Sequence, residues 1–217
     1  MAQGLYGTSK SGVGTEAVTG AVQRSPAVVR TLTGKPYLEA IDRLVLAFSV
    51  MPETSEQYHA RLRSYIEGKD PLSMQQQAPA ILAELINGVD EMAMRRSPAP
   101  GKWSVAEILA HLADDEIATA WRYRQIIEQN GITLSAFDQE TWARIGDNAS
   151  AKPADSLQLF RLLRESNLRL LRRLKPDQWE LYGVHVERGR ITIRDLVRHM
   201  AGHDINHIEQ IRRIFAR

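Results

Sequence analysis

The sequence contains no cysteine. This absence excludes disulfide bonds, thiolate metal ligands and a cysteine nucleophile, and it suits a reducing compartment. Long apolar runs are missing too: no segment approaches the roughly 20 apolar residues that a membrane span requires. The first thirty residues lack the continuous apolar stretch of a secretory signal. We therefore expect a soluble, cytoplasmic protein with no membrane partner.

The chain also has little net charge. Its 28 Lys and Arg against 26 Asp and Glu leave a formal charge of +2 at pH 7, which argues against nucleic acid as a partner. We find no hydrolytic triad and no glycine-rich phosphate loop. A length of 217 residues, 43% of them hydrophobic and 25% charged, fits a globular protein with a sizeable core.

Three regions follow one another along the chain. Residues 1–36 are rich in Gly, Ser and Thr without a lasting period, which predicts a flexible or loosely packed extension. Residues 37–69 predict two extra N-terminal helices, Tyr37 to Val50 and Thr54 to Glu67. Residues 70–217 carry amphipathic helical segments without a convincing alternating strand pattern. This region therefore predicts an all-α fold, a four-helix bundle with long connections.

Two of the bundle helices have clear start signals. Ser104 with Glu107, and Thr192 with Asp195, form the S/T-x-x-E/D pattern of a capping box. Gly, Asn and Pro residues mark the other ends. The four predicted helices run from Pro71 or Pro79 to Asn87, from Ser104 to about Gln129, from Pro153 to Leu174, and from Thr192 to about Phe215.

The last helix carries three of the six histidines, His199, His203 and His207. At about 100° per residue, His203 and His207 each lie about 20° from the centre of the buried stripe, whereas His199 lies about 60° away. Histidines four residues apart are one turn above another, a spacing that can present two imidazoles to a metal. The simpler alternative is a pair of hydrogen-bonded core histidines.

His111 stands at the edge of the apolar face of the second helix, with Asp115 and Arg122 within about 40° of it. Asp115 and Arg122 can be read as an ion pair or as part of a pocket. On the third helix Asn167 lies inside the apolar stripe and Arg164 beside it. A buried Asn needs hydrogen-bond partners, so it forms a structural bridge or belongs to a polar pocket.

Several separated motifs now point to one family. They are Lys102-Trp103-Ser104, His111-Leu-Ala-Asp114-Asp115-Glu116, Phe137-Asp138-Gln139 with Trp142, Gly183-Val-His185 through Gly189-Arg-Ile-Thr192, and His203-Asp204-Ile-Asn-His207-Ile-Glu-Gln210-Ile211. In this order they resemble the DinB-like (damage-inducible) superfamily of metal-dependent enzymes, over roughly residues 65–215. The resemblance implies a four-helix bundle that binds one divalent metal through His111, His203 and His207.

A site with three imidazoles leaves a coordination position open. The nitrogen set suits zinc, nickel or iron without choosing between them. With water at the open position we expect a hydrolase, with Asp115 as a general base; with a low-molecular-weight thiol we expect a transferase, since some members of the superfamily depend on thiols. Arg122, Arg164 and Asn167 are the candidates for binding a cofactor or a small-molecule substrate.

The competing interpretation is a non-catalytic metal-binding or dimerisation module in stress response, and a homodimer is one expected state. Asp204 and Gln210 are near enough to orient the imidazoles. We expect His185 and His199 to support the site from outside or to lie at the surface, and His59 to be exposed.

Overall fold

The computed structural model describes residues 53–216. Within this range the chain forms helices α1 (Ser55–Tyr65), α2 (Pro71–Ile86), α3 (Glu91–Arg95), α4 (Val105–Glu128), α5 (Gln139–Ile145), α6 (Pro153–Leu171) and α7 (Ile193–Phe215), strands β1 (Ile132–Leu134), β2 (Tyr182–His185) and β3 (Gly189–Thr192), and a 3-10 helix, Pro176–Glu180. The predicted extension of residues 1–36 and the predicted helix from Tyr37 to Val50 lie outside the described residues. The division of the chain at residues 36 and 69 stays a prediction.

The four predicted bundle helices are present as α2, α4, α6 and α7, so the all-α fold class is confirmed. Both capping boxes of the bundle form. The Ser104 hydroxyl accepts from the Glu107 amide at 3.3 Å, and the Glu107 carboxylate accepts from the Ser104 amide at 2.7 Å. Thr192 and Asp195 make the same pair of hydrogen bonds at 3.0 Å each. No helix between residues 53 and 216 has both the length and the apolar character needed to cross a membrane.

The all-α prediction left out a small three-stranded sheet that accompanies the bundle. β1 pairs in parallel with β2, and β2 pairs with β3 as an antiparallel hairpin in which Tyr182 faces Thr192. Strands of three or four residues are too short for an alternating pattern to show in the sequence. Gly183 has a clear role in this sheet, because a Cβ there would lie 2.5 Å from the Leu134 side chain. The hairpin leads directly into α7.

The buried core consists of two apolar clusters at opposite ends of the α4–α7 pair. One includes Leu109 and Leu112 of α4 with Ile208 and Ile211 of α7. The other joins the C-terminal part of α4 to β1, β3 and the first turns of α7. Between these clusters both helices bury polar side chains, which are Asp115, Glu116 and Thr119 on α4 and His203, Asp204 and His207 on α7. A polar layer therefore crosses the middle of the bundle.

Helix α1 packs closely against α7 at Gly202. A Cβ on Gly202 would lie 2.5 Å from the backbone carbonyl oxygen of Leu62, so only glycine allows this approach. The Arg61 guanidinium adds a hydrogen bond to the Asn206 side chain and an ion pair with Glu53 at 2.6 Å. These contacts hold α1 over the middle of α7, next to the polar layer.

Candidate metal centre

Three buried histidines meet between α4 and α7. The Nε2 atom of His203 lies 3.3 Å from Nε2 of His111 and 3.1 Å from Nε2 of His207. One ligand atom from each of the three lies within 4.8 Å of the others, and the three side chains are at most 6% exposed. The capped start of α4 and the antiparallel course of α7 bring together residues that are 92 positions apart in sequence.

This arrangement fits a metal ion. Nitrogen ligands at about 2.0–2.1 Å from zinc, at tetrahedral angles, lie about 3.3 Å from one another, close to the two Nε2–Nε2 distances of 3.1 and 3.3 Å. Three neutral imidazole nitrogens gathered in this way can act together as ligands of one cation. The donor set does not select among zinc, nickel and iron.

Neighbouring groups orient the rings. Nδ1 of His207 lies 2.9 Å from Oε1 of Gln210; because an amide oxygen only accepts, the proton of neutral His207 is on Nδ1 and Nε2 is free to bind a metal. The Trp103 ring lies against His111, with centroids 4.7 Å apart. Nδ1 of His203 is buried and has no hydrogen-bond partner within residues 53–216. The expected orienting role of Gln210 matches this geometry, whereas Asp204 contacts Arg164 instead.

Burial keeps the three imidazoles uncharged. It lowers the pKa of His111 and of His203 well below the usual range, and the neighbouring His207 lowers both further. Burial also lowers the pKa of His207, to about 4. Neutral imidazole is the form that binds metal, so the site is ready for a cation at neutral pH without first losing protons.

Asp115 is the carboxylate nearest to the three histidines. Its Oδ2 lies 3.2 Å from Nε2 of His203 and 3.7 Å from Nε2 of His111. Burial raises the pKa of Asp115 to about 7; the Glu116 charge adds to this rise and Arg122 opposes it. A carboxyl group beside the three histidines is suited to exchange a proton with a nucleophile that a metal would hold there.

Arg122, predicted either to pair with Asp115 or to line a pocket, lies on the cavity that Asp115 and His203 also line. Its Nη2 donates to the Ser135 carbonyl oxygen at 2.9 Å. The structure therefore brings Arg122 into the same region as the three histidines and Asp115. Its part in binding a cofactor or substrate stays a prediction.

Arg164 and Asn167 lie in a separate buried network. Arg164 donates from Nη1 and Nη2 to the two oxygens of Asp204, at 2.6 and 2.9 Å, and from Nη2 to Glu116 at 2.9 Å. Asn167 donates to the other Glu116 oxygen at 2.9 Å. These contacts match the first of the two roles predicted for Asn167, a structural bridge, and not a polar pocket. The predicted role of both residues in cofactor binding stays a prediction.

A family model and several known proteins match this chain. The family model described as the DinB superfamily matches residues 75–211, well over half of the chain. The chain belongs to the DinB superfamily.

Two curated relatives share this part of the sequence. A protein of Oceanobacillus iheyensis named "putative metal-dependent hydrolase" is 25% identical over 131 residues, which are 60% of this chain and 75% of the relative. YfiT of Bacillus subtilis, with the same name, is 24% identical over 147 residues, 67% of this chain and 83% of the relative. These names describe the relatives, and they agree with a metal site built from the three histidines.

Two solved structures share the fold. The structure of YfiT, described as a probable metal-dependent hydrolase with an unusual four-helix bundle topology, superposes with a TM-score of 0.63 at 20% identity, over 76% of this chain and 89% of YfiT. A mycothiol-dependent maleylpyruvate isomerase superposes with a TM-score of 0.50 at 14% identity, over 62% of this chain and 58% of the isomerase. At these identities the likeness establishes the DinB-type bundle.

Among the histidines outside the metal centre, His59 differs from its prediction. His59, predicted to be exposed, is half-buried, and its ring centroid lies 5.5 Å from that of His199. The prediction was wrong because α1 packs onto α7 at Gly202, a contact that no helical periodicity reports. His199 is half-buried 6.1 Å from the His203 ring, and His185 is 6% exposed at the end of β2.

Other residues near the site were not singled out by sequence reasoning. Tyr58 of α1 and Arg188 of the β2–β3 turn line the cavity next to Asp115. Neither lies in a motif with a known ligand-binding spacing. Gly202, inside helix α7, is the sequence signal that the backbone of another segment approaches this helix closely.

Proposed function

We propose that this member of the DinB superfamily is a metal-dependent enzyme. His111, His203 and His207 would hold one divalent metal ion, zinc, nickel or iron, and leave a coordination position for a small molecule. The observation that carries the proposal is the convergence of three buried imidazole nitrogens, with Nε2–Nε2 distances of 3.1 and 3.3 Å around His203. A metal bound there would lower the pKa of a water or thiol at its open position.

The chain's own residues divide the remaining work. Gln210 fixes the ring of His207 through its hydrogen bond of 2.9 Å. Asp115, whose Oδ2 lies 3.2 Å from Nε2 of His203, would accept the proton that the nucleophile loses and return it to the leaving group. The apolar clusters on both sides of the polar layer hold α4 and α7 in register, so that base and ligands keep their separation.

Hydrolysis is the first candidate reaction. The relatives from Oceanobacillus iheyensis and Bacillus subtilis bear the name of metal-dependent hydrolases. In this reaction the nucleophile is water, and Asp115 is its base.

Thiol-dependent group transfer is the second candidate. One observation favours it: a mycothiol-dependent isomerase shares the fold. The chain has no cysteine of its own. A thiol reaction would therefore need a low-molecular-weight thiol at the open position, with Asp115 accepting the thiol proton.

Metal analysis tests the proposal and activity screens separate the reactions. We expect the purified full chain to bind close to one equivalent of zinc, nickel or iron. A panel of esters and amides would report hydrolysis, and a panel of thiols with electrophiles would report transfer. Failure to bind any of the three metals would overturn the proposal. Full metal loading with neither activity would also overturn it, in favour of a non-catalytic metal-binding or dimerisation module.

A further inference from the structure

A cavity of about 300 Å³ extends from the metal centre toward the surface. His203 and Asp115 line one part of it, and Arg122 and Arg188 line another. Its walls come from α1, α4, α7, the residues after β1 and the β2–β3 turn. The remaining contributors include Tyr58, His59, Phe137, His185, Glu187 and His199.

Two arginines face this cavity without a close carboxylate. Across residues 53–216, neither Arg122 nor Arg188 has a carboxylate oxygen within 4.0 Å. Burial lowers the pKa of Arg122; the Asp115 charge opposes this shift, and the positive charge of Arg188 adds to it.

His185 adds a third donor beside Arg122. Its Nδ1 accepts a hydrogen bond of 3.2 Å from the Glu187 amide, so the proton of neutral His185 is on Nε2. This Nε2 lies 3.4 Å from Nη2 of Arg122. Two N–H groups that face each other in this way cannot hydrogen-bond to one another, but one oxygen atom accepting from both would satisfy them.

The carboxylates near the cavity do not supply that oxygen. Asp115 lies at the histidine end, 3.2 Å from Nε2 of His203. Glu187 is exposed in the β2–β3 turn and forms no hydrogen bond or ion pair through its carboxylate to Arg122, His185 or Arg188. The donors are thus available to a ligand from solution.

We propose that this cavity binds an anionic group, a carboxylate or a phosphate, through Arg122, Arg188 and His185. Guanidinium groups pair with both kinds of oxyanion, and charge-assisted hydrogen bonds of this type are about twice as strong as neutral ones. As a statement about the substrate this inference rests on the proposed function: the substrate would carry its negative group at one end and its reacting atom near His203. Anion binding itself does not require a metal.

Part of the cavity wall comes from outside the region that the family model matches. Tyr58 and His59 belong to α1, which precedes residue 75, where that match begins. Burial raises the pKa of Tyr58 to about 12, so its hydroxyl stays protonated and can donate to the bound anion. Helix α1 therefore forms part of the cavity wall and, in this proposal, helps determine which substrates fit.

Calorimetric titration of the full chain with two probes, inorganic phosphate and succinate, tests the proposal. The variants Arg188→Gln and Arg190→Gln remove the same charge two residues apart, and Arg190 lies over the Tyr182 ring at 4.4 Å instead of lining this cavity. We expect saturable binding of at least one probe, weakened about tenfold or more by Arg188→Gln. Arg190→Gln should weaken it less than about twofold. The preferred probe identifies the anion class.

Three results would overturn the proposal: neither probe binds, the two variants weaken binding equally, or binding disappears when the metal is removed by chelation. The last would place the anion on the metal. The metal content of Arg188→Gln, measured in parallel, should equal that of the unaltered chain. Anion binding that depends on Arg188 in a protein that takes up no metal would support the cavity site and reject the proposed enzyme, so the two failures are distinguishable.

Discussion

Two buried polar clusters lie side by side in the bundle, and they differ in the groups that they bring together: one pairs opposite charges, and the other gathers neutral imidazoles. His203 of the metal centre and Asp204 of the ion network are adjacent in sequence, as are Asp115 and Glu116. Successive residues of a helix point about 100° apart. Helix α4 therefore contributes Asp115 to the metal centre and Glu116 to the ion network. Helix α7 contributes His203 to the metal centre and Asp204 to the ion network.

The ion network pairs its charged groups within the protein, although Nε of Arg164 is buried without a hydrogen-bond partner among residues 53–216. Arg164 is 1% exposed, and its two terminal nitrogens donate to Asp204, Glu116 and the Gln75 carbonyl oxygen. Asn167 satisfies the second Glu116 oxygen. Buried charges are tolerated when they are paired and hydrogen-bonded in this way. Such a network has little capacity left for a ligand, which gives it a structural role.

The histidine cluster has no such pairing of opposite charges. Three Nε2 atoms face one another, and Nδ1 of His203 has no partner in the described part of the chain. The three rings are uncharged and cannot form ion pairs among themselves. The contrast teaches that burial alone does not mark a functional site; the unused ligand capacity of the buried groups does.

Removal of a histidine ligand should have the strongest effect, because the protein would then lose its metal. We expect His203→Ala to abolish stoichiometric metal binding, because it removes the nitrogen that lies close to both other ligands. His199→Ala, one turn earlier on α7 and outside the three-histidine group, is the matched control and should keep the metal. Elemental analysis of both purified variants decides the point. Equal metal content would mean that His203 is not a ligand.

The second test concerns the ion network. Arg164→Met leaves the Glu116 and Asp204 carboxylates buried without their cation, and we expect it to lower the free energy of unfolding by about 3–5 kcal/mol. Arg169→Met, on the same helix, breaks only an exposed pair with Glu165 and should cost less than about 1 kcal/mol. Urea denaturation measures both. Similar losses in the two variants would contradict the structural role of the network.

The third test uses pH on the metal-free protein. The pKa of His207 is lowered by burial from 6.5 to about 4, so the unfolded chain takes up a proton first as the pH falls. Because of His207, the free energy of unfolding therefore decreases as the pH falls from 6.5 to about 4, by at most about 1.4 kcal/mol per pH unit. His207→Gln should flatten this part of the stability profile. An unchanged slope would show that His207 does not stay neutral in the folded state.

The smallest expected effect concerns the orientation of one ligand. Gln210→Met removes the acceptor of the 2.9 Å hydrogen bond from His207 and should weaken metal binding about tenfold. Glu209→Gln changes the half-buried neighbour, which pairs with Arg212 at 2.6 Å, and should leave the affinity unchanged. Competition with a chelator gives both dissociation constants. Unchanged affinity in Gln210→Met would mean that packing alone holds the His207 ring.

The sequence by itself determined much of the bundle. Capping boxes and apolar periodicity are local signals, so Ser104 and Thr192 marked the starts of α4 and α7 to the residue. Helix ends were less well defined: α6 ends at Leu171, three residues before the predicted Leu174. Angular position also separated His203 and His207 from His199, because a helix converts spacing into direction.

Only the tertiary structure decided which polar groups share a site. Helical angles place Asp115 and Arg164 near buried stripes, but they do not say that one faces the histidines and the other faces Asp204. That choice depends on how α4, α6 and α7 are rotated against one another, which is set by packing across the core. The position of α1 depends likewise on a backbone contact at Gly202, between segments 140 residues apart. Periodicity is a property of one helix, whereas a cavity is a property of several.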